Sequence, residues 1–278
     1  MSLFQKGPNG EERTEVEHTV FKKSLSNMME WYAHPNVYTF KLTRLPKGYP
    51  TGFKFPPGVQ PNLADYINRG WCFCESSVSN LIKKSAFVLD LGKFDEESMK
   101  DWGDVTWGCI ANRAPPLTPS EFRPELATKS FTSKNADEEM VNRLFEDEFN
   151  KRMGGVTELE YGILKSTDKE AVAVSKVIAT GVLKKLELLF LSDNQIGDAG
   201  VMALAEAAGK GTLPQLKRLY LDNNQIGDAG VMALVEAAGK GTLPQLEELH
   251  LNNNQIGDAG VMALAEAAGK GTLPQLKT

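Results

Sequence analysis

The chain contains very little cysteine. Only Cys72, Cys74 and Cys109 occur among its 278 residues, and this small, odd number excludes a scaffold held by disulfide bonds. A Cys-x-Cys pair with one distant cysteine and no nearby histidine is a poor metal site, so we expect neither a metal nor a cofactor. Free thiols fit a reducing compartment. We therefore expect an intracellular, cytoplasmic protein, with an organelle or a larger assembly as the alternative location.

The chain also lacks a long apolar run and an excess of basic charge. No segment approaches the roughly 18 consecutive apolar residues of a membrane-spanning helix, so no transmembrane segment is expected. Its 31 basic and 36 acidic residues give a net charge of −5, without the basic excess of a general nucleic-acid binder. With 41% hydrophobic and 24% charged residues, the composition is typical of a folded protein.

Common catalytic motifs are missing as well. The sequence contains no P-loop, no Gly-x-Ser-x-Gly, no His-Glu-x-x-His and no dinucleotide fingerprint. These absences favour a non-enzymatic protein.

The C-terminal part of the chain is built from repeats. The segment Asn-Gln-Ile-Gly-Asp-Ala-Gly-Val-Met-Ala-Leu begins at Asn194, Asn224 and Asn254, which gives a period of 30 residues. Each unit has the frame Leu-x-x-Leu-x-Leu-x-x-Asn-x-Ile, beginning at Leu186 in the first. Alternating leucines predict a short strand with one buried face, and the asparagine amide can then bond turn backbone groups. Asp198 is expected to cap the helix that follows.

This frame resembles the leucine-rich repeat, in particular the long, ribonuclease-inhibitor type that NOD-like receptors also use. The resemblance implies a short right-handed solenoid with parallel strands inside, helices outside and a concave strand face that binds protein partners. A degenerate unit precedes the first clear repeat and is typical of a capping coil. We expect the solenoid at 155–278, with a cap coil at 155–182, full coils at 183–212, 213–242 and 243–272, and a partial coil at 273–278.

The C-terminal end of the repeats shows no cap in the sequence. Leu273 and Leu276 begin a fifth strand that stops at Thr278. Our first expectation is that the chain is a fragment or the product of a short gene. The alternative is that a partner, or another copy through self-association, covers this edge.

Differences between the repeats are concentrated on the strands. Coils 213–242 and 243–272 differ at five positions, and four of these fall in the six-residue strand window, far more than an even spread would place there. Recent duplication explains the near-identity of the helices, whereas the strand changes indicate a contact surface. We predict that the concave face binds a protein through Leu188, Phe190, Ser192, Arg218, Tyr220, Asp222, Glu248, His250 and Asn252.

The sequence of the N-terminal half predicts a small α/β domain at 15–112, preceded by a polar, mobile tail at 1–14. Within the domain we expect helices at 15–32, 75–84 and 96–111, strands at 37–43 and 86–91, and a Pro/Gly-rich loop at 46–61. Apolar residues at helical spacing, among them Val20, Phe21, Leu25 and Met29, are expected to form the buried face of the first helix.

Residues 113–154 are expected to form a Pro-rich linker and a docking helix. Thr118 and Glu121 have the spacing of a capping box, which predicts the start of a short helix. A second helix at about 136–153 carries an apolar stripe that includes Phe145 and Phe149. We predict that this stripe docks on the N-terminal edge of the solenoid, because both surfaces need burial.

Two further resemblances involve the segment 66–75. Together with Pro115–Pro119 it resembles leucine-rich-repeat proteins of algae and other protists, over residues 31–149, which implies no established activity. Trp71-Cys72-x-x-Glu75 is also similar to the Trp-Cys-x-x-Glu box of TIR domains, whose glutamate serves NAD cleavage. A TIR-like NAD hydrolase using Glu75 and an accessory or structural subunit of a larger assembly therefore stay open as alternatives. Without such an activity, Trp71 is a core residue and Glu75 opens a helix.

Overall fold

The N-terminal half contains a two-stranded parallel sheet and a group of packed helices. The computed structural model describes residues 14–45, 48–49, 51–54, 64–111, 113–131, 134–162 and 165–271. Strand β1 (Thr39–Lys41) pairs in parallel with β2 (Val88–Asp90). The described part of this half also contains α1 (Glu15–Ala33), α2 (Gly70–Ser79), α3 (Trp102–Gly108), α4 (Pro119–Ala127) and α5 (Lys134–Gly155). Helices α1, α2, α4 and α5 pack on one another.

These elements confirm an α/β layer in this half but correct two predicted helices. The helix expected at 75–84 is wrong in its bounds, because α2 begins at Gly70 and ends at Ser79. The missing side chain of Gly70 leaves room for the ring of Phe131. The helix expected at 96–111 is shortened to α3, which begins at a capping box formed by Asp101 and Asp104.

One face of α1 is buried, as its apolar spacing predicts. Leu25 and Met29 lie in the core. The predicted burial of Val20 is wrong, since 58% of this residue is exposed near the start of the helix. The side chain of Phe21 lies outside the described residues.

The repeat half confirms the predicted short solenoid of parallel strands alternating with helices. Strands β3 (Glu158–Glu160), β4 (Leu188–Phe190), β5 (Arg218–Tyr220) and β6 (Glu248–His250) lie side by side in chain order. Each is followed by a helix: α6 (Asp168–Ala179), α7 (Asp198–Ala208), α8 (Asp228–Gly239) and α9 (Asp258–Gly269). The central residues of the strands are in register and form a leucine spine, which consists of Leu159, Leu189, Leu219 and Leu249.

The repeated asparagine bonds the turn backbone, as predicted. The Nδ2 of Asn194 donates to the carbonyls of Leu191 (2.9 Å) and Tyr161 (2.8 Å), and its Oδ1 accepts from the N–H of Ser166 at 2.9 Å. Asn224 makes the same kinds of bonds one coil later. Each asparagine therefore joins its own coil to the preceding one and satisfies polar groups that are buried there.

The repeated aspartate does not cap its own helix, so that prediction is wrong. Helix α7 begins after Gly197, with no side-chain cap. Asp198 Oδ1 instead accepts from the N–H groups of Gly227 and Gly230, both at 2.8 Å, at the start of the next helix. Asp168 and Asp228 make the equivalent pairs of bonds to their own following coils. Each aspartate therefore caps the helix of the coil that follows.

This capping explains why a glycine recurs at the third helical position. A Cβ on Gly230 would lie 2.7 Å from Asp198 Oδ1 and 2.9 Å from the Ile226 side chain. Because real Cβ atoms essentially never come so close, any larger residue would push the carboxylate away. The glycine is needed here for close approach of a side chain to the backbone.

The N-terminal half and the first coil share one hydrophobic core. Helix α4 starts with the predicted capping box of Thr118 and Glu121. Phe149 and Met153 of α5 are buried in the same cluster as Leu159 of the first coil. The two halves are therefore packed together at the N-terminal edge of the solenoid.

Arg113 connects the two halves through hydrogen bonds. This buried guanidinium donates to the carbonyls of Leu81 (2.9 Å) and Glu160 (2.8 Å) and lies 4.3 Å from the ring centre of Tyr161. Backbone acceptors from both halves thus replace the water that the charged group loses on burial.

Some predictions fall outside the described residues. These are most of the tail at 1–14, most of the loop at 46–61, and the start of a fifth strand at Leu273 and Leu276. The proposed division into tail, α/β domain, linker and solenoid stays a prediction. No helix in the described ranges is long and apolar enough to cross a membrane.

We predict that Asp198→Ala lowers the free energy of unfolding by about 2 kcal/mol, because two backbone N–H groups of the next coil lose their acceptor. Asp258→Ala is the matched control. Asp258 has the same position in α9 but accepts no such bond among the described residues, so little change is expected. Both variants lose the same carboxylate at a helix start. Equal losses in urea denaturation would therefore contradict the role of Asp198 between coils.

Candidate functional site

The central column of the predicted binding surface is a ladder of rings. Strand register places Phe190, Tyr220 and His250 on neighbouring strands. The ring centres of Phe190 and Tyr220 are 5.7 Å apart in an edge-on arrangement, and those of Tyr220 and His250 are 4.4 Å apart. Each ring residue directly follows a leucine of the spine along its strand. The packed leucines therefore hold the rings at this spacing.

His250 is the most exposed ring of this ladder. Phe190 is half-buried, and its ring lies where a Cβ on Gly162 would collide with it at 2.1 Å. Tyr220 is half-buried, whereas 48% of the His250 side chain is exposed. A partner can therefore reach the ring of the fourth coil more easily than the rings of the second and third.

Two predicted contact residues are not exposed. Leu188 and Ser192, both in the second coil, are buried. The expectation that they present side chains at the surface is therefore wrong. Sequence alternation gives the side of the strand to which a residue points, but not whether neighbouring side chains cover it.

Charged residues flank the ring ladder. Arg218 and Glu248 are register partners on β5 and β6, and Arg218 lies 3.7 Å from Glu158 on β3. The hydroxyl of Tyr220 donates to Glu248 Oε2 at 2.9 Å, and His250 Nε2 lies 3.8 Å from the same oxygen. The hydrogen bond to Glu248 raises the pKa of Tyr220 above its usual value, because the acceptor favours the protonated phenol. Glu248 thus orients two rings of the ladder.

The column formed by Ser192, Asp222 and Asn252, on the other side of the rings, is held by polar contacts. Ser192 donates to Asp222 Oδ1 at 2.5 Å, and Asn223 donates to Asp222 Oδ2 at 3.0 Å. Asn252, at the corresponding position of the fourth coil, is exposed. We call the seven accessible predicted residues the strand face: Phe190, Arg218, Tyr220, Asp222, Glu248, His250 and Asn252.

The predictions missed two members of this surface. Glu158 pairs with Arg218 across the intervening strand, and Asn253 donates to Asn223 Oδ1 at 2.7 Å. The sequence contains a signal for Asn223 and Asn253. Together with Asp193 they recur at one position of the repeat, directly before the asparagine that bonds the turn backbone. All three have a positive φ, which Asp and Asn tolerate better than most residues.

Family models identify the repeats. Residues 214–263 match a model of two leucine-rich repeats, and residues 182–205 match a model of a single one. The solenoid is a leucine-rich repeat array. Neither matching model belongs to a catalytic family.

The chain also resembles solved structures. The chain is similar to leiomodin-1 actin-binding site 2, with 21% identity over 44% of this chain and 70% of that chain, and a TM-score of 0.38. No curated protein matches the sequence significantly.

Glu75 lies outside the leucine-rich repeats, in the middle of α2. The expectation that it opens a helix is therefore wrong, because α2 begins five residues earlier. Burial raises the pKa of Glu75, and the hydrogen bond from the Tyr32 hydroxyl acts against that rise. Trp71 is partly buried against the core. NAD cleavage by Glu75 stays a prediction.

The described residues contain no cluster of three or more His, Cys, Asp or Glu that could hold a metal ion. The strand face instead combines aromatic surface with hydrogen-bonding and charged groups, which are the side chains that protein interfaces use. This arrangement is suited to recognition.

We predict that Glu248→Ala lowers the pKa of Tyr220, because the phenol loses its acceptor and a neighbouring negative charge. The pKa is measured by ultraviolet titration as the difference between each protein and its Tyr220→Phe derivative. Glu206→Ala, on α7, is the control and should leave the titration unchanged. An unchanged curve in Glu248→Ala would contradict the contact.

Proposed function

We propose that this chain is a protein-binding module that engages its partner through the strand face. Leucine-rich repeats generally mediate protein–protein interaction, and solenoids use their strand surface for it. The observation that carries the proposal is the pair Tyr220 and His250, whose rings are accessible while the leucines behind them are buried or half-buried.

The position of the sequence differences supports this assignment. Coils three and four differ at Arg218/Glu248, Tyr220/His250 and Asp222/Asn252, and all six residues belong to the strand face. The aspartates and asparagines that join the coils are unchanged between these repeats. Variation is therefore confined largely to side chains that can change without disturbing the stacking.

The size of the strand face determines what kind of contact it can make. Four strands spaced about 4.8 Å apart extend only about 15 Å along the stacking direction, so the interface is small. In small interfaces a few central residues carry most of the binding free energy, and tyrosine is prominent among them. Tyr220 is the residue we expect to dominate.

Charge on the surface favours a protein partner over nucleic acid. Four acidic residues on or beside the strand face, Glu158, Glu187, Asp222 and Glu248, outnumber the basic Lys217 and Arg218, and the chain has a net charge of −5. A phosphate backbone would be repelled by this surface, whereas a protein can present complementary charges.

Site-specific photo-cross-linking tests the proposal. A photoreactive amino acid placed at position 250 should cross-link the partner during affinity capture from the native cell. The same amino acid at position 232, on the outer side of α8, should not, because Met232 is 52% exposed but lies on a helix. Equal cross-linking from both positions would overturn the proposed face.

We predict that Tyr220→Ala weakens binding of the captured partner about 30-fold, as expected for loss of a central aromatic residue. Met232→Ala is the control, because it removes a large exposed apolar side chain outside the strand face. Circular dichroism and the melting temperature check that both variants remain folded. Binding that is unchanged in Tyr220→Ala would count against the proposal even if position 250 cross-links.

A further inference from the structure

A cleft lies at the carboxyl ends of the two parallel strands, within the N-terminal half. Lys41 ends β1 and Asp90 ends β2, and the two residues are register partners. Thr43, Asp65, Tyr66 and Ser76 add polar side chains to its lining, and its volume is about 390 Å³. The carboxyl ends of parallel strands are where open α/β sheets commonly bind ligands.

Lys41 is a buried ammonium group in this cleft. The residue is 8% exposed, and its Nζ donates to Ser76 Oγ at 2.6 Å. Among the described residues it forms no salt bridge and no second hydrogen bond, although an ammonium group has three donors. Burial lowers the pKa of Lys41 because the charged form loses water, and the negative charge of Asp90 acts against that shift.

A second buried lysine shows how the fold satisfies such a group when it has a structural role. Lys83 Nζ donates to the carbonyl of Val37, just before β1, at 2.5 Å and to Thr39 Oγ1 of β1 at 3.0 Å. Burial lowers the pKa of Lys83 to about 8. Lys83 thus binds the sheet, whereas Lys41 keeps donor capacity in the cleft.

Asp90 supplies the opposite charge. Its Oδ1 accepts from the hydroxyl of Thr43 and from the N–H of Gly92 at 2.9 Å. Its Oδ2 has no partner among the described residues, and Asp90 forms no salt bridge with Lys41. An ammonium and a carboxylate are therefore held at one cleft without touching each other.

The other groups keep the cleft close to neutral. Asp65 adds a second carboxylate, and Lys93 adds a second ammonium, which donates to the carbonyl of Ile110 at 2.7 Å. The hydroxyl of Tyr66 has no partner in the described part of the chain. A purely anionic ligand would face Asp90 and Asp65, and a purely cationic ligand would face Lys41 and Lys93. A zwitterion meets both charges favourably.

We propose that this cleft binds a free amino acid, with the ligand carboxylate at Lys41 and Tyr66 and the ligand ammonium at Asp90 and Asp65. The volume admits a molecule of this size, and both charged ends find a partner of opposite sign. The proposal is independent of the strand face, which lies on the repeats.

Titration of the full chain tests this assignment. Each of the twenty common amino acids is added at up to about 10 mM, and binding is followed by the melting temperature and by calorimetry. At least one should bind. Its N-acetyl derivative, which lacks the ammonium charge, and its amide, which lacks the carboxylate, should each bind about tenfold more weakly or worse.

Variants give the second arm of the test. Lys41→Met and Asp90→Asn should each weaken binding by about tenfold or more, and Asp90→Asn keeps the Oδ1 acceptor that the fold uses. Lys100→Met removes an exposed lysine that is not part of the lining and should leave binding unchanged. The proposal is overturned if none of the amino acids binds, if either derivative binds as well as the parent, or if Asp90→Asn retains full affinity. The derivatives need no variant, so a poorly folding Lys41→Met does not weaken the test.

Discussion

Hydrogen bonds between consecutive coils determine the architecture of the repeat half. Asp198 reaches forward to two N–H groups at the start of the next helix, and Asn224 reaches back to the turn backbone of the preceding coil. A strand of three residues could not hold its register alone. Because these side chains bond backbone atoms, they specify how one coil sits on the next whatever side chains the strand face carries. The binding surface is free to vary for that reason.

The same constraint explains which parts of the fold were predictable. The leucine spacing and the period of 30 residues follow from burial within one coil, and they predicted the strands and helices of the solenoid. The partner of Asp198 is 29 and 32 residues away, in another coil. A local pattern of aspartate before a helix looks like an ordinary cap. Only the stacked coils show that Asp198 caps the helix of the following coil.

Burial by neighbouring elements accounts for other differences between the sequence-based expectations and the structure. Ser192 and Asp222 occupy equivalent positions in their repeats, yet Ser192 is buried and Asp222 is partly exposed. Alternation alone assigns both to the same side of the sheet. Gly70, the first residue of α2, likewise lies against Phe131, which is distant from it in sequence. Lys41 could not be singled out either, because its burial depends on α2 covering one side of β1.

The first coil shows how a solenoid ends against a different fold. An ordinary coil is joined to its predecessor through its own asparagine and through the aspartate of that predecessor, but no repeat precedes β3. Arg113 takes over this role by donating to the carbonyls of Glu160 and Leu81 and to the hydroxyl of Tyr161. Five donors on one planar group can satisfy several acceptors that no repeat supplies. The N-terminal half therefore acts as the cap of the solenoid, and the cleft at Lys41 and the strand face belong to one packed molecule.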